Sequence, residues 1–452
     1  MATRSLTRGL SRFLSDYGML FVLLLLCGYY SYVTWEEQHP NGAPGAERLA
    51  REMLEGEARP ARVLVVVGEG DDDVAFADAL REQLAEAGIA VTDTVKGKPA
   101  DARRALQKAA AAAEPPDVLA TNHVTATWPV FTHIPAAFPP LRDLKLRTPR
   151  SYYWPNFLKA KNLMNVADQI VVIAVLAVGM TMVIITGGID LSVGSLIALS
   201  AVVSALLIRA FGAVDATPLG MVLCCLVGIT VCALVGFGTG LVVTLCGIPP
   251  FIATLAMMLA ASGLAYLLAE GQSVYQVPQS FTWLGRGFAV FGVPNAVVLL
   301  VVLYVGAHVM MTRTSLGRYI YAVGGNAEAA RLSGVPVRAV LLFVYVLCGA
   351  LAGLGGVIMA SQLCSGSPTY GQMYELYTIA AVIVGGTSLA GGEGKILGTL
   401  IGAFIIAVIQ NGMNLTGVGS YTQKVVLGLV LLGAVLLDRL KRRGTTLFGA
   451  TP

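Results

Sequence analysis

Ten apolar runs of bilayer length constrain this chain more than any other feature. They lie near 17–35, 166–186, 193–212, 218–245, 251–270, 292–311, 339–362, 374–390, 396–413 and 422–438. A helix needs roughly 20 apolar residues to cross the hydrocarbon core, and inside lipid every backbone polar group must be satisfied within the protein. Charged residues make up 13% of the chain, against roughly 25% in a soluble domain. The expected fold class is an α-helical polytopic membrane protein with about ten transmembrane helices.

Charge placement gives the expected orientation. Arg4, Arg8 and Arg12 precede the first run, and Arg439, Lys441, Arg442 and Arg443 follow the last. The positive-inside rule then makes both ends cytoplasmic, which requires an even number of spans. Arg313, Arg318, Arg331 and Arg338 lie between the sixth and seventh runs, on the cytoplasmic side by the same count. The first run has a basic start and an apolar core from Met19 to Cys27, but no small-residue cleavage site follows. Tyr17 on one side and Tyr29, Tyr30, Tyr32 and Trp35 on the other form an aromatic belt, so the run reads as a retained signal anchor. The organisation is 1–36 cytoplasmic start and first helix, 37–155 extracytoplasmic insert and connector, 156–440 membrane core, and 441–452 cytoplasmic tail.

The insert has another character. Arg62 to Val67 is a buried strand, followed by Gly68, Gly70 and a helix capped by Asp71, Asp72 and Asp73 that ends at Gly88. Ile89 to Val95 is a second strand, Pro99 to Ala113 a second helix, and Pro116 to Ala120 begins a third strand. That order predicts a small βαβαβ unit with a parallel sheet. Gly68-x-Gly70-x-x-Asp73 with Asp93 resembles a dinucleotide fingerprint, but aspartates crowd the place a pyrophosphate would occupy, so helix capping is the reading.

Polar residues interrupt the apolar runs twice in related ways. Gly187-Gly188 is followed by Asp190, Ser192, Gly194 and Ser195, and Gly391-Gly392 is followed at the same spacing by Gly398 and Thr399. A repeated broken helix in a membrane protein points to a transport pathway. A charge within a span costs about 2.5–3.5 kcal/mol, so Asp190 has a task. It either caps the next helix at the cytoplasmic membrane edge or contacts solute. Gln410, Asn411 and Asn414 either line a solute path or hydrogen-bond between helices. In the basic loop, Asn326 is placed to cap a short helix over Ala327 to Leu332 that Gly334 and Pro336 terminate. A short rigid helix with two faces suits transmission of motion from a soluble partner.

Several function classes are excluded. Gly391-Gly392-Glu393-Gly394-Lys395 is no Walker loop, since Leu389 and Ile396 stand where Gly and Ser or Thr are required. This chain therefore does not hydrolyse ATP by itself; any ATPase, with its ATP and magnesium, would be a separate polypeptide, and no cofactor is expected in this chain. The four histidines and seven cysteines show no metal-ligand spacing, so the metal set is none. No basic groove with aromatic platforms speaks for nucleic acid. No nucleophile arrangement stands out, so no catalytic residue is named.

The phrases Ala177 to Ser195, Pro250 to Leu255, Gly317 to Gly334, Val384 to Gly392, Gly398 to Ala403 and Asn411 to Leu415 together resemble the membrane permease subunits of ribose- and xylose-type bacterial ABC importers. The resemblance covers about 156–440 and the first span. It implies a bacterial inner-membrane permease that moves a monosaccharide or related polar solute by alternating access. It also implies two ATP-binding subunits, a periplasmic substrate-binding protein and a second permease copy. Gly324, Gly325, Asn326, Glu328, Arg331 and Gly334 would couple to the ATPase. Gly187, Gly188, Asp190, Ser192, Gly194 and Ser195, with Gly391, Gly392, Gly398 and Thr399, would form gating hairpins. The insert is foreign to that pattern, and its reading stays open between a docking platform, the remnant of a sugar-binding lobe and decoration. A membrane receptor that senses a ligand through the insert is the alternative from another class.

Overall fold

The computed structural model describes residues 2–56, 59–290 and 292–448, with side chains except at 2–17, 290 and 437–448. The basic side chains that set the expected orientation at the two ends, from Arg4 to Arg12 and from Arg439 to Arg443, lie outside that set. The chain divides into two compact units, one of Met1–Thr34 with Asn156–Pro452 and one of Trp35–Pro155. Helix α1, Ala2–Val33, opens the first unit.

The second unit begins and ends in a two-stranded ribbon. Strand β1, Trp35–Gln38, pairs antiparallel with β6, Tyr152–Pro155. Between them run α2 Gly42–Glu55, β2 Arg62–Val67, α3 Asp71–Glu86, β3 Ala90–Lys96, α4 Pro99–Ala110, β4 Val118–Ala120 and β5 Lys145–Arg147. The sheet order is β3-β2-β4-β5 and every pairing is parallel. Strand β2 is covered on both faces, which is why it reads as an unbroken apolar run. Val63, Val65 and Val67 pack with Leu49, Phe76 and Leu80 of α2 and α3. Leu64 and Val66 pack with Ala102 and Leu106 of α4 and with Phe131 and Leu141.

The expected strand–helix–strand–helix–strand order is present, and the structure adds α2, a fourth strand and the ribbon. The capping expectation is corrected. Gly70 occupies the N-cap position without a side-chain cap bond, and the three aspartates fill the first turn. There they favour the helix dipole. The Asp73 carboxylate instead accepts from Asn41 at 2.9 Å and Asn122 at 2.6 Å. Asp93 pairs with Lys108, whose hydrogen bond holds its carboxyl below the usual range.

The first unit continues with α5 Ala160–Ile185, α6 Val193–Ala210, α7 Pro218–Leu245, α8 Pro250–Leu268, α9 Asn295–Arg313, α10 Ser315–Gly325, α11 Ala327–Leu332, α12 Val337–Leu363, α13 Tyr374–Val384, α14 Ile396–Leu415 and α15 Ser420–Phe448. Among the described residues, seven helices are long and apolar enough to cross a membrane, namely α5 to α9, α12 and α14. Gly18–Val33, Tyr374–Val384 and Ser420–Leu436 are shorter apolar helical stretches. Helix α5 is apolar all round and accordingly central, with Ile170 to Ile185 buried without interruption. Helices α7, α8 and α9 keep outward faces of exposed Leu, Val and Phe, such as Leu234, Phe251 and Val302, as a lipid solvent requires.

Candidate functional site in the glycine hairpins

Helix α5 stops at Ile185, and Gly187 turns the chain with a left-handed φ of 82°. The loop then folds back into the bundle. A side chain at Gly188 would stand 3.2 Å from Val183 and 2.6 Å from the Tyr345 hydroxyl of α12. Asp190 is only 1% exposed. Its Oδ1 accepts from the Ser192 backbone N–H at 2.9 Å and from Ser192 Oγ at 2.6 Å, and the carboxylate faces Cys348 of α12. Thr254 of α8 donates to the Ile189 carbonyl at 3.2 Å.

The expectation that Asp190 caps α6 is therefore corrected. Ser192 holds the N-cap position of α6 without a side-chain cap bond, and Asp190 satisfies Ser192 rather than the helix. The carboxylate is carried inward because its own loop supplies two donors, which offsets part of the cost of burial.

The first turn of α6 is tightly enclosed. Gly194 packs against the Glu375 carboxylate and the Gly371 carbonyl, and no side chain would fit there. Ser195 beside it is half-buried.

The second hairpin meets the first. The Gly392 N–H donates to the Ile185 carbonyl at 2.8 Å. A Cβ on Gly391 would lie 3.3 Å from Gly187 N and 2.8 Å from the Gly324 carbonyl. Gly324, near the end of α10, abuts the Ile185 carbonyl so closely that any side chain would overlap it, and a Cβ there would stand 2.7 Å from Gly392 N. Tyr321, one turn earlier on α10, donates to the Gly394 carbonyl at 2.7 Å. Gly398 lies against Gly385, and Thr399 Oγ1 shares a 2.7 Å hydrogen bond with Thr181 Oγ1 of α5. Of the glycines paired by spacing in the sequence, Gly187 and Gly391 are thus neighbours in space, with the end of α10 against Ile185 and Gly392, whereas Gly194 and Gly398 pack elsewhere.

Directly after Gly325 comes α11. Asn326 accepts from the Ala329 N–H at 2.9 Å, and Gly334, with φ of 84°, ends the helix as the Val335 N–H returns to the Ala330 carbonyl. Ala330 is buried, whereas Glu328, Arg331 and Leu332 face outward. Arg331 donates to Glu328 at 2.9 and 2.5 Å, and these bonds hold the Glu328 carboxyl below its usual range.

The remaining expected residues lie elsewhere. Asn411 is buried in a reciprocal amide pair with Asn162 of α5, at 2.9 and 3.0 Å, which is the interhelical alternative. Asn414 is exposed and accepts from Gln423 at 2.7 Å, and Gln410 is half-buried. Sequence reasoning missed Asn162, Tyr345 and Cys348. Tyr345 and Cys348 share one apolar run and Asn162 lies in the polar stretch before another, so only the fold shows what each faces.

A family model described as branched-chain amino acid transport system / permease component matches residues 162–435. The ribose import permease protein of Escherichia coli (strain K12) is 45% identical over 296 residues, covering 64% of this chain and 88% of that protein. The ribose import permease protein of Bacillus subtilis (strain 168) is 45% identical over 289 residues, 64% and 87% of the two chains. The xylose transport system permease protein of Escherichia coli (strain K12) is 35% identical over 347 residues, 64% and 87%. No solved structure matches significantly. The matched segment contains both hairpins, α10 and α11, and on it the chain belongs to the branched-chain amino acid transport system / permease component family.

Proposed function

We propose that this chain is the membrane permease subunit of an ATP-driven importer for a monosaccharide of the ribose or xylose kind. The relatives carry the substrate class, since their names state ribose import and xylose transport. The contact of Gly324 with Ile185 and Gly392 carries the mechanism. A displacement of α11 acts through Gly325 and Gly324 on both hairpins at once, with no side chain between to absorb it.

In this reading ten helices span the bacterial inner membrane, both ends are cytoplasmic, and 37–155 lies outside. Separate ATP-binding subunits engage the exposed face of α11 at Glu328 and Arg331. ATP hydrolysis takes place on those subunits and not on this chain. A second copy of the permease completes the path, and alternating access moves the solute inward. A periplasmic binding protein delivers the sugar, with the α/β unit as its docking platform.

The test is the Glu328→Ala/Arg331→Ala chain, reconstituted with its ATP-binding subunit and binding protein in liposomes. Sugar uptake per ATP hydrolysed is expected to fall by about tenfold, the loss of one charge-assisted contact, or the ATPase subunit to dissociate. Wild-type coupling in that variant would remove α11 from the coupling role.

A further inference from the structure

The middle of the bundle contains a carboxylate that the hairpin mechanism does not use. Ile197 of α6 gathers with Leu176 and Val172 of α5 around Gly355, so the start of α6 lies level with the middle of α5. Gly194 is one turn from Ile197, and the Glu375 carboxylate rests against it. Glu375 therefore sits at mid-depth, well away from either end of the helices.

The backbone around it is irregular at that depth. Cys364, Gly371 and Met373 have φ values of 50°, 72° and 68°. Gly366 packs on the Ala201 carbonyl and Gly371 on Gly194, so the segment between α12 and α13 descends along α6. Helix α13 is 11 residues long, about 16 Å, half of what a core of about 30 Å requires. Non-helical backbone inside a membrane survives only where protein buries it or where it lines water. The N-termini of α6 and α13 both open here, an arrangement that suits a midplane solute site.

Polar capacity beyond a bond to the Glu375 backbone remains at this point. Glu375 is half-buried, and among the described residues no Lys, Arg or His pairs with it. Gln372 is exposed, and the half-buried rings of Tyr374 and Tyr377 lie 6.2 Å apart. Thr378, one turn on from Glu375, is 0% exposed with a hydroxyl that has no partner. The other intramembrane candidates are engaged, Asp190 with Ser192 and Asn411 with Asn162.

We propose that Glu375, with Gln372 and the Tyr374–Tyr377 pair, is an intramembrane recognition point for a polyhydroxylated solute. The carboxylate accepts hydrogen bonds from sugar hydroxyls, and the tyrosine rings face the sugar's C–H surface. This rests on the importer reading above.

The experiment uses the complete transporter with its ATP-binding subunit and binding protein in proteoliposomes, comparing wild type with Glu375→Gln. Uptake of D-ribose and D-xylose is measured beside that of analogues lacking one hydroxyl, such as 2-deoxy-D-ribose. The same binding protein serves both chains, so its own selectivity cancels in the ratio. Glu375→Gln is expected to lower uptake of the full sugar about tenfold, the worth of one hydrogen bond to a charged group, and uptake of one deoxy analogue much less. Equal losses for all sugars, unchanged uptake, or failure to co-purify with the ATPase subunit would give Glu375 a structural role or none, and would overturn the proposal. If the wild-type complex imports none of these sugars with ATP, the importer reading itself fails.

Discussion

The first hairpin, 186–192, carries Asp190 to a position 1% exposed beside Tyr345 and Cys348, whereas the second, 386–395, keeps Glu393 and Lys395 exposed. The first opens on Gly187-Gly188, the second carries the echo of that pair, Gly391-Gly392, in its later half, and both end in the start of a long helix. The difference lies in the residues between. Ile189-Asp190-Leu191-Ser192 brings one carboxylate together with two donors from its own loop, so the charge arrives inside already hydrogen-bonded. Glu393-Gly394-Lys395 brings two opposite charges, and burial at several kcal/mol per ion holds them at the surface. Glycines set where a helix breaks. The polar residues that follow set the direction the chain takes.

The largest expected effect breaks the contact the two hairpins share. Gly324→Val places two methyls where the Ile185 carbonyl and Gly392 N–H already sit, and both neighbours are backbone. The expected cost is at least about 3 kcal/mol, the upper range for overpacking. Size-exclusion profiles and thermal melts in detergent should show little folded protein, and a wild-type melt would mean that the hairpins separate freely.

A smaller effect distinguishes the hairpins from each other. Asp190→Ala leaves the buried Ser192 N–H and hydroxyl without their acceptor and should destabilise the chain by about 1–3 kcal/mol. Glu393→Ala, in an exposed position, should leave the melting temperature unchanged. Equal shifts for the two would erase the distinction drawn here.

Much of this was legible in the sequence because it depends on local chemistry. Asn326 and Gly334 bracket α11 as caps do anywhere, and the unbroken apolar run of β2 identifies a strand buried on both faces. The echo between Gly187 and Gly391 showed two helix breaks, though not that they touch. At their contact lies α10, whose Gly324 looks like any other small residue in the sequence. Depth was illegible for a related reason. Asp190 at the end of an apolar run reads as an edge residue, and only the fold-back of its loop along α5 brings it to Tyr345. The α/β unit shows the same limit. Lys145–Arg147 is short and exposed, with no apolar pattern, so its place as a fourth parallel strand comes from pairing with β4 alone.

The smallest expected effect lies at the far ends of the helices that flank the hairpins. Helix α5 leads into the first and α14 leads out of the second. Near the hairpins the two are joined by Thr181 and Thr399, and at the other end by Asn162 and Asn411. If the Asn pair is a clasp and not a solute contact, Asn162→Ala and Asn411→Ala should each destabilise the chain while the double variant loses less than their sum. The coupling should be about 0.6 kcal/mol and at most about 1.7, the range for polar pairs between membrane helices. Uptake per folded transporter should be unchanged in all three. A coupling of zero together with lost uptake in Asn411→Ala alone would return Asn411 to the solute path, and Glu375 would then no longer be the sole candidate at the centre of the bundle.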